Sequence, residues 1–143
     1  MSKIRLDADD IKHIAFFESA TGAKVKDFLK EGETACFVVE TGDMGLAIGK
    51  KGAKVGNVRK ALGKNILVFE YHPDPEQFIK NMFHPVELHG INIAKTPDTV
   101  TAQIHISVED KSRAIGLGGV RIRLIRQLVS RHHKIDELTL RTV

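Results

Sequence analysis

The sequence lacks the features that would indicate a membrane, secreted or disulfide-bonded protein. It has no tryptophan and a single cysteine, Cys36, which excludes an intrachain disulfide. No apolar run reaches the length that crosses a membrane. Residues 1–5 have no apolar stretch of the kind that forms a signal peptide. We therefore expect a cytoplasmic protein without membrane contacts, and we expect it to be a monomer.

The sequence also lacks the side-chain sets of an enzyme or a metal protein. Cys36 lies in a strand-like run, residues 34–40, which favours a small core residue over a reactive thiol. The seven histidines have no cysteine partners at ligand spacing, and the pair His132 and His133 is expected to form a solvated helix end. No nucleophile and base stand at catalytic spacing. We therefore predict no catalytic residue, no metal and no cofactor.

Positive charge is concentrated in two segments, although the whole chain carries a net charge of only +4. Residues 43–64 contain six Lys or Arg against one Asp, and residues 110–134 contain seven against one Asp, so their net charges are +5 and +6. The remainder of the chain therefore carries −7. A surface that is merely solvated would mix both signs throughout. Segregated charge is typical of a protein that binds a phosphate backbone on one side and repels it elsewhere.

A short glycine motif occurs once in each basic segment. The first copy reads Ile48-Gly49-Lys50-Lys51-Gly52, and the second reads Ile115-Gly116-Leu117-Gly118-Gly119. Because glycine has no Cβ, a sugar-phosphate chain can lie close to the backbone there. The helix predicted after each loop adds unpaired N–H groups and the positive end of its dipole. One copy is weak evidence, but two copies at matching places indicate a pair of phosphate-binding loops.

Two nucleotide-binding motifs that contain similar glycines do not fit. A dinucleotide fingerprint needs a third glycine where Arg121 stands, and it should follow a strand rather than the helical turn predicted at residues 110–114. A Walker loop needs a glycine where Met44 stands and Ser or Thr where Lys51 stands. The loops therefore favour a nucleic acid over a mononucleotide.

The two halves have the same predicted order of elements. The first half is predicted to contain a helix that ends near Gly22, with Asp9 and Asp10 as its cap, followed by segments 25–29 and 34–40 as strands, 43–48 and 53–62 as helices, and 65–71 as a strand. The second half is predicted to contain a helix at 75–83, strands at 86–94 and 100–108, a short helix that Asp110 caps or starts, a helix after the loop, and a strand at 135–141. Residues 71–75 contain two prolines and form a short linker. We therefore expect two domains, residues 1–72 and 73–143.

This order resembles that of the type II KH domain, and the chain resembles it twice. More narrowly, Leu62-Gly63-Lys64 before the closing strand of the first half, together with residues 75–81 at the start of the second, is similar to the archaeal NusA-like transcription factors. The resemblance covers nearly the whole chain. It implies an α+β fold of two tandem type II KH domains, αββααβ each, with helices packed on one face of a three-stranded mixed sheet. It also implies single-stranded RNA as ligand, a role in transcription termination or antitermination, and association with RNA polymerase or a transcription complex.

The resemblance assigns an RNA-binding site to each half through the motif. The first site would contain Ile48, Gly49, Lys50, Lys51, Gly52, Lys54 and Val55. The second would contain Arg113, Ile115, Gly116, Leu117, Gly118, Gly119, Arg121, Ile122 and Arg123. The second loop has Leu117-Gly118 where a basic residue is usual, so the three arginines are expected to replace the missing charge.

Residues next to these sites have two possible roles. Val58 and Ile125 lie one helical turn further along, and helical spacing favours the core for both. Gln103 and His105 are candidates for hydrogen bonds to base edges, although the sequence leaves open which face of the sheet they occupy.

Two other functions use the same fold. A KH protein of ribosome assembly or RNA processing would use the same chemistry in a different process. A protein-interaction module would use the KH fold without RNA, but the segregated positive charge disfavours it.

Overall fold

Each half of the chain forms its own three-stranded sheet with accompanying helices. The computed structural model describes residues 6–143, which divide after His72 into two compact units. Residues 1–5, on which the expectation of no signal peptide rests, lie outside the described part.

The two units have the same order of elements. The first unit contains α1 (Ala8–Thr21), β1 (Val25–Glu31), β2 (Thr34–Val39), α2 (Met44–Ile48), α3 (Ala53–Leu62) and β3 (Asn65–Glu70). The second contains α4 (Pro75–Phe83), β4 (Gly90–Lys95), β5 (Val100–Ile106), α5 (Lys111–Ile115), α6 (Val120–His133) and β6 (Glu137–Thr142). Short 3₁₀ turns at Lys50–Gly52 and Leu117–Gly119 join α2 to α3 and α5 to α6. The order αββααβ is therefore present twice.

Both sheets are mixed and have their strands in sequence order. In the first, β2 pairs antiparallel with β1 and parallel with β3. In the second, β5 pairs antiparallel with β4 and parallel with β6. The predicted fold class, α+β with two three-stranded mixed sheets, is confirmed. In each sheet the last strand lies at an edge, and the helical segment with the glycine loop precedes it in the chain.

The core of the first unit is built around aromatic rings. Phe37 on β2 stacks on Phe17 of α1 with ring centroids 4.2 Å apart, and it meets Phe28 of β1 at 5.0 Å. Every residue of β2 is buried, including Cys36, which has no exposed surface. Val58 of α3 is also fully buried. The predictions that Cys36 and Val58 are core residues are confirmed.

The second unit shows the alternation expected of a strand with one buried face. Ala102, Ile104 and Ile106 of β5 are buried, whereas Gln103 and His105 between them are half-buried. Since successive side chains of a strand point to opposite faces, Gln103 and His105 lie on the face away from the core. Ile125 of α6 is fully buried, which confirms its prediction as a core residue.

Two predicted strands begin too early. The segment 86–89 was expected to open a strand, but β4 begins at Gly90, because the Val86 N–H donates to the Phe83 carbonyl at 2.8 Å and forms a turn after α4. The last strand begins at Glu137 rather than at residue 135, because the Ile135 N–H donates to the Val129 carbonyl at 3.2 Å. The strand predicted at residues 100–108 begins as expected but ends at Ile106.

The N-cap of α1 is Asp7, and of the two residues predicted as its cap only Asp10 takes part in the capping contacts. Asp7 is the N-cap, since its side chain accepts from the Asp10 N–H at 2.8 Å, while the Asp10 carboxylate accepts from the Asp7 N–H at 3.2 Å. Asp9 lies in the first turn, so its interpretation as part of the cap was wrong. The Lys30 Nζ lies 2.9 Å from Asp10 and 3.3 Å from Asp7, which links the start of α1 to β1.

This cap predicts an acid-dependent stability. The Asp10 N–H and the Lys30 ammonium hold the pKa of Asp7 below its usual value of 3.8. A lowered carboxyl pKa stabilises the fold above pH 3.8, and the stabilisation is lost as the pH falls through the folded-state pKa. Asp7→Ala should therefore lower the melting temperature at pH 7 by a few degrees. The difference in melting temperature between Asp7→Ala and wild type should become smaller below pH 4.

The matched control is Asp9→Ala, which removes a carboxylate from the same turn without removing the cap. It should change the melting temperature less than Asp7→Ala at pH 7. Circular dichroism from pH 3 to pH 8 measures the melting temperatures of both variants. Equal decreases in melting temperature would show that the cap does not stabilise α1.

Candidate nucleic-acid interface

The two glycine loops have the same backbone conformation. The first, third and fourth positions of each loop have positive φ: 74°, 53° and 74° at Gly49, Lys51 and Gly52, and 82°, 63° and 78° at Gly116, Gly118 and Gly119. The first glycine also has an extended ψ, 178° in one loop and 168° in the other. This combination of φ and ψ is essentially restricted to glycine. The repeat seen in the sequence is therefore a repeat of backbone geometry.

The first glycine of each loop is required by packing within its own unit. A Cβ on Gly49 would lie 2.6 Å from the Lys54 Cγ and 3.0 Å from the Lys54 backbone nitrogen. A Cβ on Gly116 would lie 2.7 Å from the Arg121 Cβ. By contrast, the nearest atom to a Cβ on Gly52 would be the Val55 Cγ1 at 4.0 Å. A Cβ on Gly119 would lie 2.8 Å from the Arg123 Nη1. The open space for close approach by a ligand is therefore beside Gly52 of the first loop, whereas the first glycine of each loop serves the fold.

Lys54 and Arg121 make equivalent contacts in the two units. The Lys54 Nζ donates to the Thr21 carbonyl at 3.1 Å, at the end of α1. The Arg121 Nη2 donates to the carbonyls of Met82 at 2.6 Å and His84 at 3.1 Å, at the end of α4. A cation is favourable there, because the last carbonyls of a helix carry the negative end of its dipole. Both side chains thus fix the position of the helix that follows the loop.

The charged groups at the two loop tips differ. Lys50 and Lys51 are both exposed in the first loop. In the second loop Leu117 takes the place of Lys50, and 94% of its surface is exposed. The Arg123 Nη1 donates to the Gly118 carbonyl at 2.8 Å, so its guanidinium lies against the second loop. The first loop therefore presents two ammonium groups and the second presents an apolar tip with an arginine beside it.

Arg113, the third arginine expected at the second loop, lies within ion-pair distance of an acidic residue. Its Nη1 lies 3.7 Å from the Asp110 Oδ1, and both residues lie near the start of α5. Asp110 makes no side-chain hydrogen bond to the helix N–H groups, so it starts this segment but does not cap it.

The apolar residues beside the second loop line a groove. It has a volume of about 440 Å³ and is lined by Lys111, Ile115, Ile122, Arg126, Thr139 and Leu140. Ile115 ends α5, Ile122 and Arg126 lie on α6, and Thr139 and Leu140 lie on the edge strand β6. Gln103 and His105 are not among the lining residues. In the first loop, the corresponding Ile48 and Val55 are half-buried.

The sequence interpretation missed four of these lining residues. Arg126 follows Ile122 by one helical turn on the same face, so helical spacing was a usable signal for it. Lys111 was visible only as one of the basic residues of its segment. Thr139 and Leu140 could be found only by knowing that β6 lies beside α6, which depends on the tertiary fold.

The histidine pair at the end of α6 packs against an aromatic ring. Contrary to the expectation of a solvated helix end, His132 and His133 are half-buried, with ring centroids 6.0 and 5.4 Å from that of Phe78. In residues 6–143, no three His, Cys, Asp or Glu side chains are grouped as metal ligands. None of the helices in the described part of the chain is long and apolar enough to span a membrane.

Two protein-family models match the chain. One describes a KH domain and matches residues 11–96, and the other describes a NusA-like second KH domain and matches residues 75–142. The first match runs past residue 72, so the domain limits 1–72 and 73–143 stay a prediction.

Several proteins are similar over most of this chain. The "Probable transcription termination protein NusA" of Halobacterium salinarum is 34% identical over 137 residues, which cover 96% of this chain and 98% of the relative. The protein of the same name from Methanocaldococcus jannaschii is 31% identical over 138 residues, 96% of this chain and 75% of the relative. The "Transcription termination/antitermination protein NusA" of Thermus thermophilus is 30% identical over 86 residues, 59% of this chain and 22% of the relative. Among solved structures, the crystal structure of APE1850 matches with a TM-score of 0.77 and 31% identity, covering 95% of this chain and all of that one.

The packing of the loops predicts unequal roles for their glycines. Gly49→Ala introduces both a forbidden backbone conformation and a clash with Lys54, so it should lower the free energy of unfolding by about 2 kcal/mol or more. In Gly52→Ala the new methyl group meets open space. Only the left-handed backbone conformation then destabilises the fold, by roughly 1 kcal/mol. Urea denaturation of the full chain, followed by circular dichroism, measures both. Equal losses for the two variants would contradict the assignment of Gly49 to packing.

Proposed function

The chain belongs to the archaeal NusA-like family of KH-domain transcription termination proteins, which are not enzymes, and we propose that it binds single-stranded RNA through its two Gly-x-x-Gly loops. The observation that carries this proposal is the repeated loop: the same backbone conformation precedes a basic helix in both units. A KH domain holds unpaired nucleotides at such a loop, and it clamps about four of them. The ligand is proposed to be nascent RNA, with RNA polymerase or a transcription complex as the partner.

The first loop is proposed to bind phosphate by charge and by backbone approach together. Lys50 and Lys51 are exposed, and Gly52 has open space beside it. The first N–H groups of α3 are not used within the helix, and the positive end of the helix dipole lies at the same place. Lys54 contributes to this site by fixing α3 to the end of α1 rather than as a free cation.

The second loop is proposed to bind with less direct charge. Gly118 and Gly119 have the same backbone conformation as Lys51 and Gly52, so α6 presents its first N–H groups in the same way. Arg123 supplies a guanidinium beside the loop, and the exposed Leu117 offers an apolar contact to a base or sugar. The groove lined by Ile115 and Ile122 provides an apolar surface on which an unpaired base is favoured.

The names of the relatives support transcription as the process. The alternative of ribosome assembly uses the same RNA chemistry, and no contact among residues 6–143 favours it. Recovery of the protein from cell extract, with identification of the co-purified large complexes, separates the two processes: RNA polymerase supports the proposal, and pre-ribosomal particles without polymerase contradict it.

The proposal predicts loss of RNA affinity when the charge of the first loop is reversed. Lys50→Asp with Lys51→Asp leaves both glycines in place, so folding should be retained. Affinity for a single-stranded ten-nucleotide RNA should fall at least about tenfold, because two cations that neutralise phosphates become anions. For wild type, the slope of log K against log salt should be roughly −3 to −4, as for about four to six neutralised phosphates. Fluorescence anisotropy measures both quantities.

A matched variant controls for net charge. Lys12 on α1 and Lys95 on β4 are exposed, and Lys12→Asp with Lys95→Asp changes the net charge by the same amount away from the loops. This variant should lose much less affinity than the loop variant. Equal losses would mean that RNA senses only the overall charge. Equal affinity of wild type for a hairpin stem and for the same strand unpaired would also contradict the proposal.

A further inference from the structure

Arg126 lines three depressions on the surface of the second unit. It lines the groove of about 440 Å³ together with Ile115, Ile122 and Leu140. It also lines two adjoining depressions, one of about 300 Å³ bounded by residues of β6 and one of about 280 Å³ along α6. A molecule in the groove therefore lies beside its guanidinium.

The guanidinium of Arg126 is held in a fixed orientation. Its Nε donates to the Leu138 carbonyl at 3.0 Å, which ties the side chain of α6 to the edge strand β6. Within the described part of the chain, this is the hydrogen bond that the Arg126 side chain makes. The two terminal nitrogens thus retain their N–H groups for a ligand, in a plane that is already set. A planar fork fixed before binding loses less entropy when it forms a bidentate pair.

The groove combines this fork with apolar walls. Ile115, Ile122 and Leu140 suit the flat face of an unpaired base. A guanidinium offers two parallel donors, and it pairs best with an edge that carries two adjacent acceptors. Guanine has such an edge at O6 and N7, and cytosine has one at O2 and N3, whereas adenine and uracil alternate donor and acceptor on the corresponding edges.

We propose that Arg126 selects the base held in the groove of the second unit and favours cytosine or guanine over adenine and uracil. This inference rests on the proposed binding of single-stranded RNA, and it adds a preference that the loops alone do not provide. Arg126 lies well beyond the first turn of α6, so it is separate from the phosphate site at the loop.

A phosphate contact by the same arginine would have a different consequence. A residue that binds phosphate changes affinity equally for all sequences, whereas one that pairs with a base edge changes the ratio between sequences. Lysine keeps the charge of arginine but has no planar fork. Arg126→Lys therefore separates the two roles.

The first unit supplies a matched control. Arg59 lies seven residues after Gly52, as Arg126 lies seven residues after Gly119. The Arg59 side chain makes no hydrogen bond to any residue in the 6–143 range, so its guanidinium is not fixed in the way that Arg126 is. Arg59→Lys makes the same chemical change at the equivalent position of the other unit.

The test uses the full chain and labelled ten-nucleotide RNAs of uridine, with one central nucleotide replaced by C, G or A. Wild type should bind the C and G oligomers about 5- to 100-fold more tightly than the all-uridine and A oligomers. Arg126→Lys should bring these affinities within about twofold of one another while retaining the affinity for all-uridine RNA. Arg59→Lys should leave the wild-type preference in place.

A second substitution distinguishes base selection from a structural role of the bond to Leu138. The amide of Arg126→Gln offers one donor and one acceptor, the pattern that complements the alternating edges of adenine and uracil. The A and all-uridine oligomers should therefore bind more tightly than the C and G oligomers, a reversal that loss of a structural contact does not produce. Melting curves of each variant check folding.

Each outcome decides one of the two proposals. An unchanged preference in Arg126→Lys, or no preference for C or G in wild type, overturns the role of Arg126 while RNA binding stands. If wild type binds none of the oligomers, the proposed function itself fails. Retained folding with a preference that moves as described supports both.

Discussion

The close approach between the first glycine of each loop and the residue five positions later is the contact on which the rest of the site depends. Gly49 lies against Lys54, and Gly116 lies against Arg121, at distances that no Cβ would permit. The same long side chains then extend to the carbonyls at the end of the first helix of their unit. In each unit the same side chain thus packs against the glycine with its aliphatic part and hydrogen-bonds to a helix terminus through its charged group. This arrangement fixes the turn between two helices and holds the following helix with its N–H groups facing the loop.

Much of the fold and of this turn could be predicted from the sequence, because the signals are local. A glycine motif repeated in register marks a repeated backbone conformation, and the structure has the same φ values in both copies to within about 10°. The bounds of α3, residues 53–62, and of α4, residues 75–83, follow from helical spacing. The alternation of apolar and polar residues along β5 indicates a strand with one buried face, and Ala102, Ile104 and Ile106 are indeed buried. The placement of Val58 and Ile125 in the core follows from helical spacing in the same way.

The parts that could not be predicted depend on contacts between residues far apart in the chain. The basic residues near the starts of α3 and α6 have the sequence pattern of phosphate ligands, but Lys54 and Arg121 bond to carbonyls at the ends of α1 and α4. The bond from Arg126 to Leu138 requires β6 to lie beside α6. Segment 86–89 has the apolar composition of a strand, yet a turn uses the Val86 N–H. Charge and hydrophobicity identify such residues as important without saying which partner each one meets.

The most direct test of the account is to observe the two loops while RNA binds. Backbone amide signals of Gly52 and Gly119, recorded by NMR on the isotope-labelled full chain, should shift when a five-nucleotide single-stranded RNA is added. Adding a perfect hairpin of the same base composition should shift them far less, because a paired stem does not offer its base faces to the grooves. Shifts that appear at Gly52 alone would make the second unit structural. Shifts confined to residues such as Gln103 and His105, on the face of the second sheet away from its core, would contradict RNA binding at the loops.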